Sequence, residues 1–267
     1  MDVKLSLTTH CNAKCRTCPV WSIPGRDMPW EVFTNIWSKI NASKLVSRIL
    51  LNNTGDMYVH PDHIRMFEYI EQHHYKPIIM TTNAAGMDYV PAVDLIIISF
   101  NGGTKGSYEY TTGLSWDEVT ATIRSHYSEL ARRPLEMHML AWDGNAGTEQ
   151  ALVEYWHDFP GRIRVSYKYD NQMRDDHTLP QYRRTDRIPC DYLDMISVMP
   201  DGRVVSCAHD FHAVTNFGNL YTGTVAGTIK HPNRLQMKAE HARGEFRGLC
   251  AKCNYNTPIG DRVVYLK

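Results

Sequence analysis

Through the first two thirds of the chain, short strand-like runs alternate with longer runs whose apolar residues recur every three or four positions. This alternation restricts the fold more than any other feature. Strand-like runs fall at 3–9, 48–51, 77–82, 93–100, 135–142 and 162–169. The run at 93–100 is almost continuously apolar, as a strand buried on both faces requires. Between these runs, Asp27 is placed to cap a helix with Pro29 in its first turn and Trp30, Phe33, Ile36, Trp37 and Ile40 on one face. Pro61 and Asp62 open a second helix carrying Ile64, Phe67 and Ile70. Ser115 and Glu118 form a Ser-x-x-Glu capping box ahead of Val119, Ile123, Tyr127 and Leu130, and 148–159 gives a fourth helix. Strands regularly separated by helices imply parallel βα units whose active face lies at the carboxyl ends of the strands. Six strands are too few for a closed eightfold barrel. The expected fold is therefore α/β, an open, partial (β/α)6 TIM-like barrel.

The pattern changes after residue 169. Residues 170–189 are charged, contain proline and have no period, which reads as a connector. Residues 190–267 hold a β-hairpin at 196–198 and 204–206 about a Pro200-Asp201-Gly202 turn. The expected division is a barrel at 1–169, a connector at 170–189 and a small C-terminal unit at 190–267. At 267 residues the chain can bury a core without disulfide staples. Its 29 basic and 29 acidic residues cancel, which argues against nucleic acid or an anionic membrane as partner. The N-terminus lacks an apolar signal core, and runs such as Leu95-Ile96-Ile97-Ile98 are far below the ~20 residues that span a bilayer. A cytoplasmic location is expected, where thiols stay reduced. The Asn-x-Ser/Thr triplets at Asn41 and Asn52 are then chance matches.

Seven cysteines cannot all close into disulfides, and their grouping points to metal. Cys11, Cys15 and Cys18 form C-x3-C-x2-C directly after the first strand. A zinc site there would want a fourth ligand, for which His10 is the local candidate. An iron–sulfur cluster needs only three thiolates if its fourth iron binds something else. The remaining four, Cys190, Cys207, Cys250 and Cys253, form C-x11-G-x4-C followed by C-x2-C. Four thiolates complete a cluster with no open position or, alternatively, a zinc site, although zinc ribbons usually pair two C-x2-C knuckles.

The first motif resembles that of the radical S-adenosylmethionine (radical SAM) superfamily. The resemblance implies a 4Fe–4S cluster on Cys11, Cys15 and Cys18, whose unique iron takes the amino and carboxylate groups of S-adenosylmethionine. Later motifs follow in the family's order. Residues 50–56, ending Thr54-Gly55-Asp56, resemble the Gly-Gly-Glu-Pro segment that meets the amino group, with Asp56 in place of Glu and Met57 in place of Pro. Thr82-Asn83 resembles the start of Thr-Asn-Gly, with Gly86 displaced by two alanines. Ser99-Phe100-Asn101-Gly102 resembles the motif near the ribose. Thr17 departs from the aromatic residue that commonly precedes the last cysteine. Gly55, Asp56, Thr82, Asn83, Ser99 and Asn101 are thus the expected cofactor-binding residues. The C-terminal unit resembles the twitch domain, a shortened SPASM domain. That likeness implies one auxiliary 4Fe–4S cluster on Cys190, Cys207, Cys250 and Cys253, carried by a β-hairpin plus helix. The three-plus-four plan is similar to that of the radical SAM dehydrogenases of aminocyclitol biosynthesis.

Three classes of function follow. The first is an oxidoreductase acting on a small hydroxyl- or amine-bearing metabolite, with the auxiliary cluster accepting an electron and a flavodoxin- or ferredoxin-type protein donating one. The second is a peptide-modifying enzyme acting on a precursor peptide. The third is a non-catalytic zinc or iron–sulfur module. Only ten residues precede Cys11, an expectation against a fused leader-peptide-binding domain and toward small substrates. Oxidation needs a base, and Tyr167, Lys168, Asp170 and Arg174 lie near the sixth strand's end without singling one out. His10, His60 and His209 lie near motifs and are expected to be surface or packing residues.

Overall fold

The computed structural model describes residues 1–51, 54–167, 189–251, 253 and 263–266. Six strands run parallel in chain order: β1 (Asp2–Leu5), β2 (Arg48–Leu51), β3 (Ile78–Thr82), β4 (Leu95–Ser99), β5 (Leu135–Ala141) and β6 (Arg162–Tyr167). Five lie within the predicted runs, and β1 overlaps its run but starts one residue earlier, at Asp2. Among the described residues β1 and β6 do not pair with each other, so the sheet stays open, and the architecture is the expected partial TIM-like barrel.

Helices cover one face of this sheet. They are α1 (Trp30–Ala42), α2 (His63–Gln72), α3 (Lys105–Thr112), α4 (Trp116–Ser125), α5 (Tyr127–Leu130) and α6 (Glu149–Tyr155). The core forms where strand residues such as Val3, Leu5, Ile49, Leu51, Ile96 and Ile98 meet Phe33, Ile36, Phe67, Ile70 and Ile123 from the helices. Alternate residues of the same strands face the other way, toward the barrel interior.

Several local expectations are corrected. Asp27 does not cap α1. Pro29 occupies the N-cap, and the Asp27 carboxylate accepts a hydrogen bond from Thr8 Oγ1 at 2.6 Å instead. Ile64 is exposed, and α2 buries Met66, Phe67 and Ile70, so Ile64 lies at the edge of the face that Phe67 and Ile70 turn to the core. Ser115 caps α4 by accepting from the Glu118 N–H, one half of the expected capping box. The β3–β4 crossover contains no helix, whereas β4 is followed by the unpredicted α3, held by a reciprocal Thr104–Ser107 capping box.

The C-terminal segment attaches to both edges of the sheet. Strands β7 (Ile196–Val198) and β8 (Val204–Val205) form the predicted hairpin. β7 pairs parallel to β1, with Lys4 opposite Ser197. β9 (Val263–Tyr265) pairs antiparallel to β6. The full order is β8-β7-β1-β2-β3-β4-β5-β6-β9. Helices α7 (Val225–Ile229) and α8 (Pro232–Ala242) complete the unit. Arg234 of α8 is 1% exposed and donates from Nη2 to the carbonyls of Leu193 and Met195, fixing the turn that follows Cys190. Among the described residues, no helix is long and apolar enough to cross a membrane.

Candidate active site

Three strand-end loops converge on the first cysteine motif. The loop after β1 is clamped from the side by α3: Lys14 N–H donates to Thr112 O at 2.8 Å and Arg16 N–H to Thr111 O at 2.9 Å. Arg16 also lays its guanidinium over the Tyr110 ring and donates to the Tyr110 carbonyl. From the β3 loop, Asn83 Nδ2 donates to Asn12 Oδ1 at 2.8 Å and approaches Cys11 Sγ at 3.8 Å, while Asn12 Nδ2 donates to Ala85 O. The β2 loop enters through Asp56, whose N–H donates to His10 O at 2.9 Å. The Asp56 carboxylate accepts from Thr82 Oγ1 at 3.0 Å, from Asn83 N–H at 2.7 Å and from Tyr58 N–H at 3.1 Å.

Asp56, Thr82 and Asn83, predicted separately from two motifs, are therefore one hydrogen-bonded unit beneath the cysteine loop. Burial pushes the Asp56 carboxyl up to about 6, against the pull of its N–H and hydroxyl donors. A carboxylate has about four lone-pair sites, so these contacts leave capacity for a further donor. Gly55 makes the approach feasible. Its φ is +72°, and a Cβ there would lie 2.4 Å from the His10 carbonyl oxygen. Gly55→Ala is expected to cost about 1–3 kcal/mol of folding stability from strained backbone alone. Denaturant unfolding measures it, and an unchanged midpoint would show that the two loops separate without penalty.

Ser99 and Asn101 are brought together at the end of β4. Asn101 Nδ2 donates to Ser99 Oγ at 3.2 Å, and Asn101 Oδ1 accepts the Leu140 N–H at 2.8 Å, tying the motif to β5. Gly103 permits the contact that follows, since a Cβ there would sit 1.6 Å from the Thr148 carbonyl oxygen.

Among the described residues, which include all seven cysteines, none pairs in a disulfide. Cys15 lies within electrostatic reach of Cys18, Cys11 and Asp56. Burial pushes the Cys11 thiol up to about 12, and Cys15 higher still. Such thiols are poor nucleophiles, and it takes a bound metal to hold them as thiolates. Among the described residues no three His, Cys, Asp or Glu side chains converge as ligands of a single ion do. A 4Fe–4S cluster does not ask for that convergence, because each thiolate takes a different iron. His10 lies elsewhere, its ring over Gly25 and its Nε2 3.8 Å from Asp27.

The four C-terminal cysteines line one cavity, together with Tyr192, Leu193, Ser206, His209, His241 and Leu249. Burial raises Cys190 to about 12 and Cys207 to about 11; Cys190 also senses Cys207 and Cys253, and Cys207 senses Cys253. Lys4, reaching in from β1, places its ammonium 4.1 Å from the Tyr192 ring centroid. Burial lowers its pKa to about 8, opposed by Cys207, Asp2 and Cys190. A cluster on four thiolates is anionic, and this wall supplies a cation beside it. The donor set and the charge fit such a group.

Sequence reasoning placed His209 among packing residues, and it stands in this cavity wall, 5.5 Å from the Tyr192 ring. His60 is the packing residue expected, with Nδ1 accepting from Asp62 N–H and Nε2 3.2 Å from Met28 O. Tyr167 packs partly buried against the core, while Lys168, Asp170 and Arg174 lie outside the described residues. A polar row inside the barrel was missed. Glu136 is 3% exposed and accepts from Arg162 and Arg164, and His138 Nε2 lies 2.9 Å from Ser166 Oγ. Burial, then Arg164, pushes His138 down to about 3, so it is neutral. In register His138 sits beside Ser99, next to the ribose motif. The signal was available, since Glu136 and His138, like Arg162, Arg164 and Ser166, alternate with apolar residues at strand period.

No protein-family model and no curated protein matches the sequence. Solved structures do match the fold. Streptococcus suis SuiB bound to S-adenosylmethionine aligns with a TM-score of 0.69 at 12% identity, over 95% of this chain and 70% of that one. Native anSMEcpe with bound AdoMet and Kp18Cys peptide gives 0.65 at 14%, over 96% and 87%. BtrN in complex with AdoMet and 2-DOIA gives 0.58 at 14%, over 98% of each chain. These structures share the fold of this chain, a partial TIM-like barrel. At such identities the likeness speaks for architecture, and binding must be argued from this chain's own residues.

Proposed function

We propose that the chain is a radical SAM enzyme with one auxiliary 4Fe–4S cluster, and that it carries out a two-electron oxidation of a small hydroxyl- or amine-bearing metabolite. The observation that carries the radical SAM reading is the hydrogen-bonded chain from Asp56 through Thr82 and Asn83 to Asn12 and Cys11. It joins three motifs that lie far apart in sequence into one site at the carboxyl ends of parallel strands, where βα barrels place their chemistry.

In this reading Cys11, Cys15 and Cys18 hold the first cluster, and Gly55, Asp56, Thr82, Asn83, Ser99 and Asn101 seat S-adenosylmethionine. When bound, the reduced cluster supplies the electron that cleaves the sulfonium and yields the hydrogen-abstracting 5′-deoxyadenosyl radical. Asp56 offers negative charge to the amino group, and Asn101 holds Ser99 in position for the ribose. The loops clamped by α3 exclude water from the reacting end. Cys190, Cys207, Cys250 and Cys253 would hold the auxiliary cluster, which would offer an acceptor for the second electron of the oxidation. A flavodoxin- or ferredoxin-type protein is the donor class that would reduce the first cluster.

A small substrate is supported by the match to BtrN in complex with AdoMet and 2-DOIA. A peptide substrate is the second reading, favoured by the higher TM-scores to SuiB, solved with precursor peptide SuiA, and to anSMEcpe with its peptide. The test is anaerobic purification followed by iron and sulfide analysis, with about eight of each expected per chain for two clusters. Reductant and S-adenosylmethionine should then yield 5′-deoxyadenosine, and its absence from cluster-replete protein sinks the reading. Neighbouring genes separate the two substrate classes, since a short precursor peptide and a sugar or amino-acid pathway point in opposite directions.

The Asp56 assignment makes a separate prediction. Below about 6 the carboxyl is protonated and offers an ammonium ligand no charge. Affinity for S-adenosylmethionine is therefore expected to fall as pH is lowered through about 6, read by equilibrium dialysis. A flat profile would remove Asp56 from amino-group binding.

A further inference from the structure

A cleft enclosing about 640 Å³ of empty space, its mouth included, opens between the cysteine loop and the C-terminal hairpin. The cysteine loop contributes Thr9, Pro24 and Arg26, and the hairpin contributes Met199, Asp201 and Arg203. Thr54, two residues from Asp56, also lines it, so the cleft adjoins the S-adenosylmethionine motifs.

Its charge is unbalanced in a specific way. Arg26 Nη1 and Arg203 Nε both donate to the same oxygen, Asp201 Oδ2, at 2.7 and 2.8 Å. The other oxygen accepts the Arg203 backbone N–H at 3.2 Å. One carboxylate thus holds two guanidiniums side by side and neutralises only one of them. Other carboxylates of these segments are committed elsewhere: Asp27 to Thr8, and Asp210 to Val214 and Thr215. Among the described residues, the remaining side-chain N–H groups of Arg26 and Arg203 have no protein acceptor. Two like charges are not held together at a cleft without cost. A second anion relieves it, and paired guanidiniums present the planar fork that binds carboxylate and phosphate oxygens in pairs.

We propose that this cleft seats the substrate, and that Arg26 and Arg203 bind an anionic group, carboxylate or phosphate, that the substrate carries. Calling the occupant the substrate rests on the radical SAM reading; the anion site stands on the arginine pair itself. The site spans both parts of the chain, so an anionic substrate would be held between the residues assigned to the two clusters.

The test uses the full-length, cluster-replete protein with inorganic phosphate and acetate as probes, each titrated calorimetrically against chloride at constant ionic strength. Saturable binding of one anion per chain is expected, weakened at least about tenfold in Arg26→Gln and Arg203→Gln. Asp201→Asn removes the competing carboxylate and is expected to tighten binding, a direction that damage to the fold would not produce. Preference for one probe identifies the group. The proposal is overturned by the absence of saturable binding of either probe, by binding unchanged in the arginine variants, or by weakened binding in Asp201→Asn. Formation of 5′-deoxyadenosine by the wild-type protein is scored separately, so a failed radical SAM reading is distinguished from a failed anion site.

Discussion

Replacing Cys15 by alanine is expected to abolish S-adenosylmethionine cleavage, with 5′-deoxyadenosine formation falling by at least about a thousandfold. The reason lies in what the other two cysteines cannot do. Cys15 lies among Cys11, Cys18 and Asp56, and burial keeps its thiol protonated until a metal claims it. Asn12, Asn83, Thr111 and Thr112 fix the loop backbone, so no neighbouring residue swings in as a substitute ligand. Iron is expected to fall from about eight to about four per chain, because the second set of thiolates is untouched. The fold should survive, since α3 and the β3 loop hold the motif by backbone and amide contacts. Loss of all iron, or of the fold, would show instead that the two sites are one cooperative unit.

Replacing Cys207 by alanine is expected to give a different phenotype. The variant should still cleave S-adenosylmethionine, because none of the residues assigned to that step lies in the C-terminal cavity. Conversion of substrate to oxidised product should stop, because the substrate radical would have nowhere to deliver its electron. Iron should again fall to about four per chain. Cys207 is the informative position because it lies just beyond β8, whose Val205 pairs with Ser197, and Ser197 lies opposite Lys4. The variant therefore removes a thiolate while leaving the strand pairing intact. Sustained turnover would show that the auxiliary cluster is structural, and loss of both activities that it is required for the first site to form.

What the sequence disclosed and what it withheld divide along a physical line. Features set by neighbours in the chain were readable: the six strands, the hairpin about Gly202, the Ser115 cap and both cysteine groups. Features set by distant partners were not. Asp27 has the chemistry of a cap, yet Thr8 across the loop takes its carboxylate. Helix α3, reading KGSYEYTT, has little apolar periodicity, and is held by its capping box and by Tyr108 stacked on Phe100. The Arg26–Asp201 contact joins residues 175 apart in sequence, so no local window contains it. The motif residues Asp56, Thr82 and Asn83 were legible singly, but their mutual hydrogen bonds belong to the tertiary structure.

The pairing of β7 with β1 bears on how the chain is made. Strand β1 is made well before β7, and β2 soon offers it one neighbour, but its other neighbour begins at Ile196. Until then one ladder of β1 stays unsatisfied, an edge onto which another chain can add. Long-range closure of this kind slows folding. A chain truncated ahead of the hairpin would keep that edge permanently bare, so the barrel is not a part that can be cleanly excised.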